Sequence, residues 1–333
     1  MPEPVSSQQK PVLALAIGDP AGIGPELAAK LVADKEVRDA ADLIVVGDRR
    51  VFDRACAVAG VSPDLPTVAD RDVASPGTFL DLHHLDPDTI EVGVASREGG
   101  AFALENYSTC LRMAAAGRAG AVCFTPFNKA AMKMAHKAYD DEILYTAGVL
   151  GIEVEASEFN ILEGLWNARV TSHVPLSAVP GMIKRDAVLK RIRLTNETLR
   201  SSGVARPRIA VAGLNPHVGD GGNFGHEDDE EILPAVRAAK AEGIDVDGPF
   251  PPDTVFVRAT KGAFDVVLTM YHDQGQIAMK LIGFDRGVTM LAGFPFPICT
   301  PAHGSAYDIA GKGIANIGAS RAALLLAARM AGR

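Results

Sequence analysis

The chain has little cysteine. Its four, Cys56, Cys110, Cys123 and Cys299, stand far apart and form no CxxC pair. That spacing argues against a disulfide framework or a zinc knot and leaves buried, reduced thiols. No cluster of lysine or arginine stands out, and the formal net charge is −8. This balance argues against nucleic acid or an anionic membrane as the main partner, though not against a small anionic ligand held locally. No apolar run reaches membrane-spanning length, and the polar start "MPEPVSSQQK" reads as neither a signal peptide nor an anchor. The expectation is a soluble, cytoplasmic protein. Aromatic residues are scarce, at 6%. There is no internal repeat and no low-complexity linker.

What is present reads as an α/β enzyme. The 333 residues are 47% hydrophobic, enough for one large α/β domain or two smaller ones. "PVLALAIGDP" reads as a short buried strand, and "GPELAAKLVAD" as a helix with Pro25 and Glu26 in its first turn. "ADLIVVGD" is a second strand, followed by a helix that Gly60 ends. A long helix is predicted over 101–117 and a strand over 119–129. Two strands are predicted within 158–176, the second ending at His173. Strand and helix alternate to the end of the chain, with a last helix over 319–331. This order predicts a largely parallel sheet in two lobes with a cleft.

Three of the eight histidines fall just past predicted strands: His173 in "VTSHVPL", His217 in "GLNPHVGD" and His272 in "MYHDQG". Neighbouring parallel strands bring their carboxyl-terminal loops together, and neutral imidazole is a common ligand for a divalent metal. A lone histidine at such a place is more often a hydrogen-bonded loop residue, so the residues alone leave both readings open. Lys280 lies eight residues after His272, and Asp253 sits in the proline-rich "PPDTVF".

Two glycine-rich stretches stand out. "GDGG" with Gly225 precedes a helix whose first turn holds Glu227, Asp228, Asp229 and Glu230. Those carboxylates already complement the helix dipole and would repel a phosphate unless they point away. "GDPAGIGPEL" is only a partial match to a dinucleotide fingerprint, because Leu27 stands where a glycine is required. "PAHGSAYDIAGKGIAN" suits a ribose or adenine contact and is equally compatible with a plain loop.

Six segments together carry a resemblance: "AIGDPAGIGPEL", "TPFNKAAM", "LNPHVGDGGNFGHEDDEEI", "PPDTVF", "YHDQGQIAMKLIGFDRGV" and "HGSAYDIAGKGIAN". In this order, and over nearly the whole chain, they resemble the 4-hydroxythreonine-4-phosphate dehydrogenase family of pyridoxal phosphate biosynthesis. The resemblance implies a two-domain α/β fold similar to the isocitrate and isopropylmalate dehydrogenases. Residues 1–125 with 300–333 would form the nucleotide-contacting lobe. Residues 126–299 would form the lobe with the metal ligands and the dimer interface. It implies a homodimer with a shared active site and a small acidic substrate. NAD or NADP would be the cofactor, and Asn215, His303, Gly304, Ser305, Asp308 and Asn316 its contacts. It implies a divalent metal on His173, His217 and His272, the third from the partner subunit. Zinc is the first choice, with cobalt, manganese, nickel or magnesium after it. Asp253 and Lys280 match the family's active-site aspartate and lysine. The chemistry implied is oxidation of a secondary alcohol of a hydroxy acid, followed by loss of carbon dioxide.

The chain also departs from the family pattern. "YDDE", with Asp140 and Asp141, replaces the family's "GHTE"; Thr289 replaces an asparagine; and "FPFPICTP" replaces "LPFIRTS", losing an arginine near Ile298. Asp140, Asp141 and Thr289 therefore become candidate substrate contacts. A substrate other than the phosphorylated threonine is expected, with the cis-dihydrodiol of terephthalate as the named alternative.

Overall fold

Short runs of branched apolar residues build the strands, and in a parallel sheet covered on both faces such strands are buried throughout. The computed structural model describes residues 10–332. In chain order the first elements are β1 (Val12–Ala16), α1 (Gly24–Ala33), α2 (Lys35–Ala40), β2 (Asp42–Gly47) and α3 (Arg49–Ala59). Then come β3 (Thr67–Val68), β4 (Thr78–Asp81), α4 (Arg97–Ala115), β5 (Ala121–Phe124), α5 (Lys129–Ala135) and α6 (Glu142–Leu150). The middle of the chain gives β6 (Ser157–Leu162), β7 (Leu165–Arg169), α7 (Val179–Met182), α8 (Arg185–Ser201), β8 (Ile209–Ala212) and α9 (Leu233–Ala241). It continues with β9 (Val246–Phe250), α10 (Pro252–Ala259), β10 (Val266–Thr269), α11 (His272–Gly283) and β11 (Val288–Ala292). β12 (Ile298–Pro301) and α12 (Gly318–Ala331) close the chain.

These elements form two compact units, Met1–Glu153 with Pro295–Arg333, and Val154–Phe294. The boundaries differ from those expected: residues 126–153 and 295–299 fall in the first unit rather than the second. For 126–153 the reason is packing on α4. Gly100 of α4 lies against the Ala131 carbonyl of α5 with no room for a Cβ. Tyr107 of α4 hydrogen-bonds Thr146 of α6 at 2.6 Å. Asn128 and Asp141 cap α5 and α6, two helices that the residue pattern did not reveal.

In the first unit the strand order is β3-β4-β2-β1-β5-β12, and every pairing is parallel. In the second the order is β11-β6-β7-β10-β8-β9. There β7, β10, β8 and β9 run parallel, while β6 pairs antiparallel with both β7 and β11. The α/β class with a largely parallel sheet is as expected. Two local expectations fail. Helix α4 starts at Arg97, before the predicted 101, because Ser96 caps it through the Gly99 amide. Strand β7 stops at Arg169, so His173 stands in the loop beyond it.

Candidate active site

The second unit places β7, β10 and β8 side by side and parallel. Their carboxyl-terminal loops carry His173, His272 and His217, so the sheet order brings the three histidine loops to one edge. The His173 and His272 rings stand 5.5 Å apart, centroid to centroid. A metal–imidazole bond is about 2.0–2.1 Å, so two imidazoles on one tetrahedral ion would have centroids about 5 Å apart. The observed pair fits a shared cation.

His272 opens α11, and its Nδ1 lies 2.6 Å from Asp273 Oδ1. With Nδ1–H donating to this carboxylate, Nε2 would be the atom left to face a cation, the arrangement usual behind metal-bound histidine. His173 Nδ1 similarly lies 3.5 Å from Ser172 Oγ. His217 stands apart. Among the described residues the three imidazoles do not bring ligand nitrogens within 4.8 Å of one another. His217 takes a left-handed backbone, φ 52°, and its ring faces Phe224.

The loop that holds His217 is anchored by a buried acid. Asp228 is fully buried and accepts from the amides of Leu214 and Asn215 and from the Asn215 side chain. Asn215 Nδ2 also donates to Glu227 Oε2 at 2.8 Å. So Asn215 ties the glycine-rich loop to the acidic turn, and the acid predicted only to face the helix dipole serves as an anchor. Lys280 is exposed on α11, and Asp253 is exposed in the first turn of α10. Thr289, on β11, is half-buried and accepts from Asn160 Nδ2 at 3.3 Å.

The remaining candidates lie in the first unit. Asp140 is exposed and stands 3.7 Å from Lys133 Nζ. Asp141 caps α6 by accepting from the Leu144 amide at 2.8 Å. Glu142 pairs with Lys129 at 3.1 Å. Of the three carboxylates in "YDDE", Asp140 and Glu142 each have a lysine beside them, while Asp141 is taken up as a helix cap.

The segment from His303 to Asn316 is laced onto the α1 turn. Tyr307 donates to Asp19 at 2.6 Å, the Ile23 amide donates to the Ser305 carbonyl, and the Ala315 amide donates to Glu26. Gly22 approaches Ser305 too closely for any Cβ. Ser305 is buried, His303 is half-buried, and Gly304, Asp308 and Asn316 are exposed. Asn316 also accepts from the Gly318 amide at the start of α12. A partly open cavity of about 130 Å³, lined by Pro20, Gly22, Val51, Ile90 and Gly311 among others, adjoins the turn.

The model of the family described as pyridoxal phosphate biosynthetic protein PdxA matches residues 39–327. The chain belongs to this family. A relative from Rhizobium meliloti named "Putative 4-hydroxythreonine-4-phosphate dehydrogenase 2" is 56% identical over 98% of this chain and 95% of its own. One from Symbiobacterium thermophilum named "Putative D-threonate 4-phosphate dehydrogenase" is 39% identical over 97% of each. The crystal structure of 4-hydroxythreonine-4-phosphate dehydrogenase from Klebsiella pneumoniae is 33% identical and covers 96% of this chain and 99% of its own, with a TM-score of 0.83. The chain is thus a PdxA-family dehydrogenase. No helix among the described residues is long and apolar enough to cross a membrane.

One further set of ligand-type atoms was not foreseen in this PdxA-family chain. Asp48, Asp81 and His83 bring ligand atoms within 4.8 Å of one another. Burial opposes the charge on Asp48, but hydrogen bonds from Arg50 and from the Leu85 and Arg50 amides outweigh it and pull its pKa down to about 2. Asp81 accepts from the Arg49 and His83 amides. Both carboxylates are therefore filled by N–H donors and act as turn and helix caps. The sequence reading also passed over Glu158, Asn160, Asn167 and Arg169, whose spacing of two along "SEFNIL" and "LWNAR" puts polar groups at every second strand position.

Proposed function

We propose that this chain is a metal-dependent, NAD- or NADP-linked dehydrogenase of a small hydroxylated acid, and that decarboxylation follows oxidation. The observation that carries the metal is the His173–His272 pair at 5.5 Å, with Asp273 behind His272. Because His173 and His272 already stand together in one chain, the ligand left for a homodimer to supply is His217, not His272 as expected. Ile277 and Leu281, 61% and 83% exposed on the helix that begins at His272, support such a partner surface. His173, His272 and His217 would hold the metal, which would polarise the substrate alcohol, and a bound nicotinamide would supply the hydride acceptor.

The chain's own groups do the rest. Asp273 keeps the His272 tautomer fixed. Lys280 Nζ holds the substrate carboxylate or moves a proton, and Asp253 accepts the alcohol proton. A ketone placed β to the carboxylate then releases carbon dioxide. His303, Gly304, Ser305, Asp308, Asn316 and Asn215 are assigned to the nucleotide, a reading that rests on the likeness of "HGSAYDIAGKGIAN" to the family's nucleotide segment. A cytoplasmic location accords with this chemistry.

The substrate is proposed to differ from 4-phosphohydroxy-L-threonine, because Asp140 and Asp141 replace the family's histidine and threonine. The relative named for D-threonate 4-phosphate makes a polyhydroxylated four-carbon acid 4-phosphate the first candidate. Lys133 beside Asp140 and Lys129 beside Glu142 are compatible with a phosphate. The test is NADH or NADPH formation by zinc-loaded protein offered D-threonate 4-phosphate, 4-phosphohydroxy-L-threonine and the terephthalate cis-dihydrodiol in parallel. A His272→Ala control accompanies each. Turnover of the phosphorylated threonine in preference to the others would overturn the substrate reading. No nicotinamide reduction with any hydroxy acid would overturn the reaction class.

A further inference from the structure

In α/β units the layer between a sheet and its covering helix is ordinarily apolar, as it is under Ala278 and Met279 of α11, yet the layer under Gly275 and Gln276 is polar. Register places Asn160 of β6 opposite both Asn167 of β7 and Thr289 of β11, so these side chains share one face. Glu158 and Arg169 flank them on that face, two residues along each strand. Gly275 of α11 lies directly on the Asn167 side chain, with no room for a Cβ, and Gln276 donates to Asn160 at 2.8 Å.

Arg169 is the hub of this layer. It is 1% exposed, and its guanidinium donates in three directions. Nη2 pairs with Glu158, Nη1 donates to Asn160 at 2.8 Å, and Nε donates to Ser172 at 3.1 Å. Ser172 is the residue before His173. Asn160 reaches α11 through Gln276 and β11 through Thr289. One buried cation therefore links the loop of His173, the helix that begins at His272 and the strand of Thr289.

Burying an ion pair is seldom the most stable choice for a core, and apolar residues of similar volume often do better. A planar fork with several fixed donors does, however, set geometry that an apolar core would not. We infer that Arg169 is a positioning residue that fixes His173 and His272 at a common spacing. This role rests on the metal reading proposed above.

The test is zinc affinity, measured by competition with a chromophoric chelator, together with the visible spectrum of the cobalt-substituted protein and the thermal midpoint. Three variants are used: Gln276→Leu, Arg169→Lys and the double Glu158→Met/Arg169→Met. Gln276 is only half-buried, so its variant tests the link where loss of the arginine prevents folding. We expect Gln276→Leu and Arg169→Lys each to weaken zinc binding by about 10- to 100-fold and to shift the cobalt spectrum. The thermal midpoint of the metal-free Gln276→Leu protein should stay at the wild-type value. The double variant should fold at least as well as wild type and still bind zinc weakly. Wild-type zinc affinity and cobalt spectrum in all three would overturn the positioning role alone. Failure of the wild type to bind zinc in a His173-dependent way would overturn the metal reading, and this role with it.

Discussion

Asp273 Oδ1 lies 2.6 Å from His272 Nδ1, one residue away at the start of α11. On the metal reading, this carboxylate orients the imidazole so that Nε2 faces the cation. Asp273→Ala should therefore weaken zinc binding by about 10- to 100-fold while the fold persists. Chelator competition on the purified protein reads this directly. An unchanged affinity would show that the Asp273 contact plays no part in the site.

Asp19 is 1% exposed and accepts from Tyr307 at 2.6 Å. Burial raises its pKa, and the Tyr307 hydrogen bond pulls the other way. For an acid with a raised folded pKa, the cost of the charge is absent below the unfolded value and full above the folded one. Tyr307→Phe removes a donor from the charged form, so it should cost about 1–3 kcal/mol at neutral pH and less in acid. Denaturation at pH 7 and pH 4 checks the sign; an equal loss at both would refute it.

Asp48 has the opposite shift, from 3.8 down to about 2. Its contribution is present above the unfolded pKa and is lost as pH falls from about 4 towards about 2. A shift of this size corresponds to about 2 kcal/mol. The stability gap between wild type and Asp48→Asn should be near that value at neutral pH and narrow steadily below pH 4.

Gly100 and Gly148 make a matched pair. A Cβ at Gly148, in α6, meets nothing within 4 Å, whereas one at Gly100, in α4, meets the Ala131 backbone. Alanine at a helical glycine ordinarily stabilises by about 0.5–1 kcal/mol. Gly148→Ala should do so. Gly100→Ala should instead destabilise by about 1–3 kcal/mol or more, because backbone cannot rotate aside. Thermal midpoints of opposite sign are the readout.

Much of the fold was legible in local patterns. Runs such as "VLALA" and "LIVVG" carry strand signals that need no partner to be read, and Gly60 marks a helix end by its left-handed backbone. The convergence of the His173, His217 and His272 loops was also legible, because it follows from parallel strands alone. The non-closure of His217 was not. It depends on left-handed turns at His217, Val218 and Asp220 and on the buried anchor Asp228, none of which a periodicity shows. Asp141 looked like a substrate contact because a carboxylate in a changed motif resembles chemistry; its capping bond to Leu144 is visible only once α6 is in place. The Arg169 layer was hidden for a related reason. Each polar residue looked like an isolated interruption until β6, β7 and β11 were set in register.

The order in which the chain visits its two units sets the order in which they can be finished. All six strands of the second unit come from one continuous run, residues 154–294, while the first unit needs β12 and α12 from beyond that run. During synthesis the inner unit can close first. Once it has closed, the span between β5 and β12 is no longer a free loop of more than a hundred flexible residues. The entropy of bringing those two strands together falls accordingly. The inserted unit acts as a tether-shortener for the unit that surrounds it.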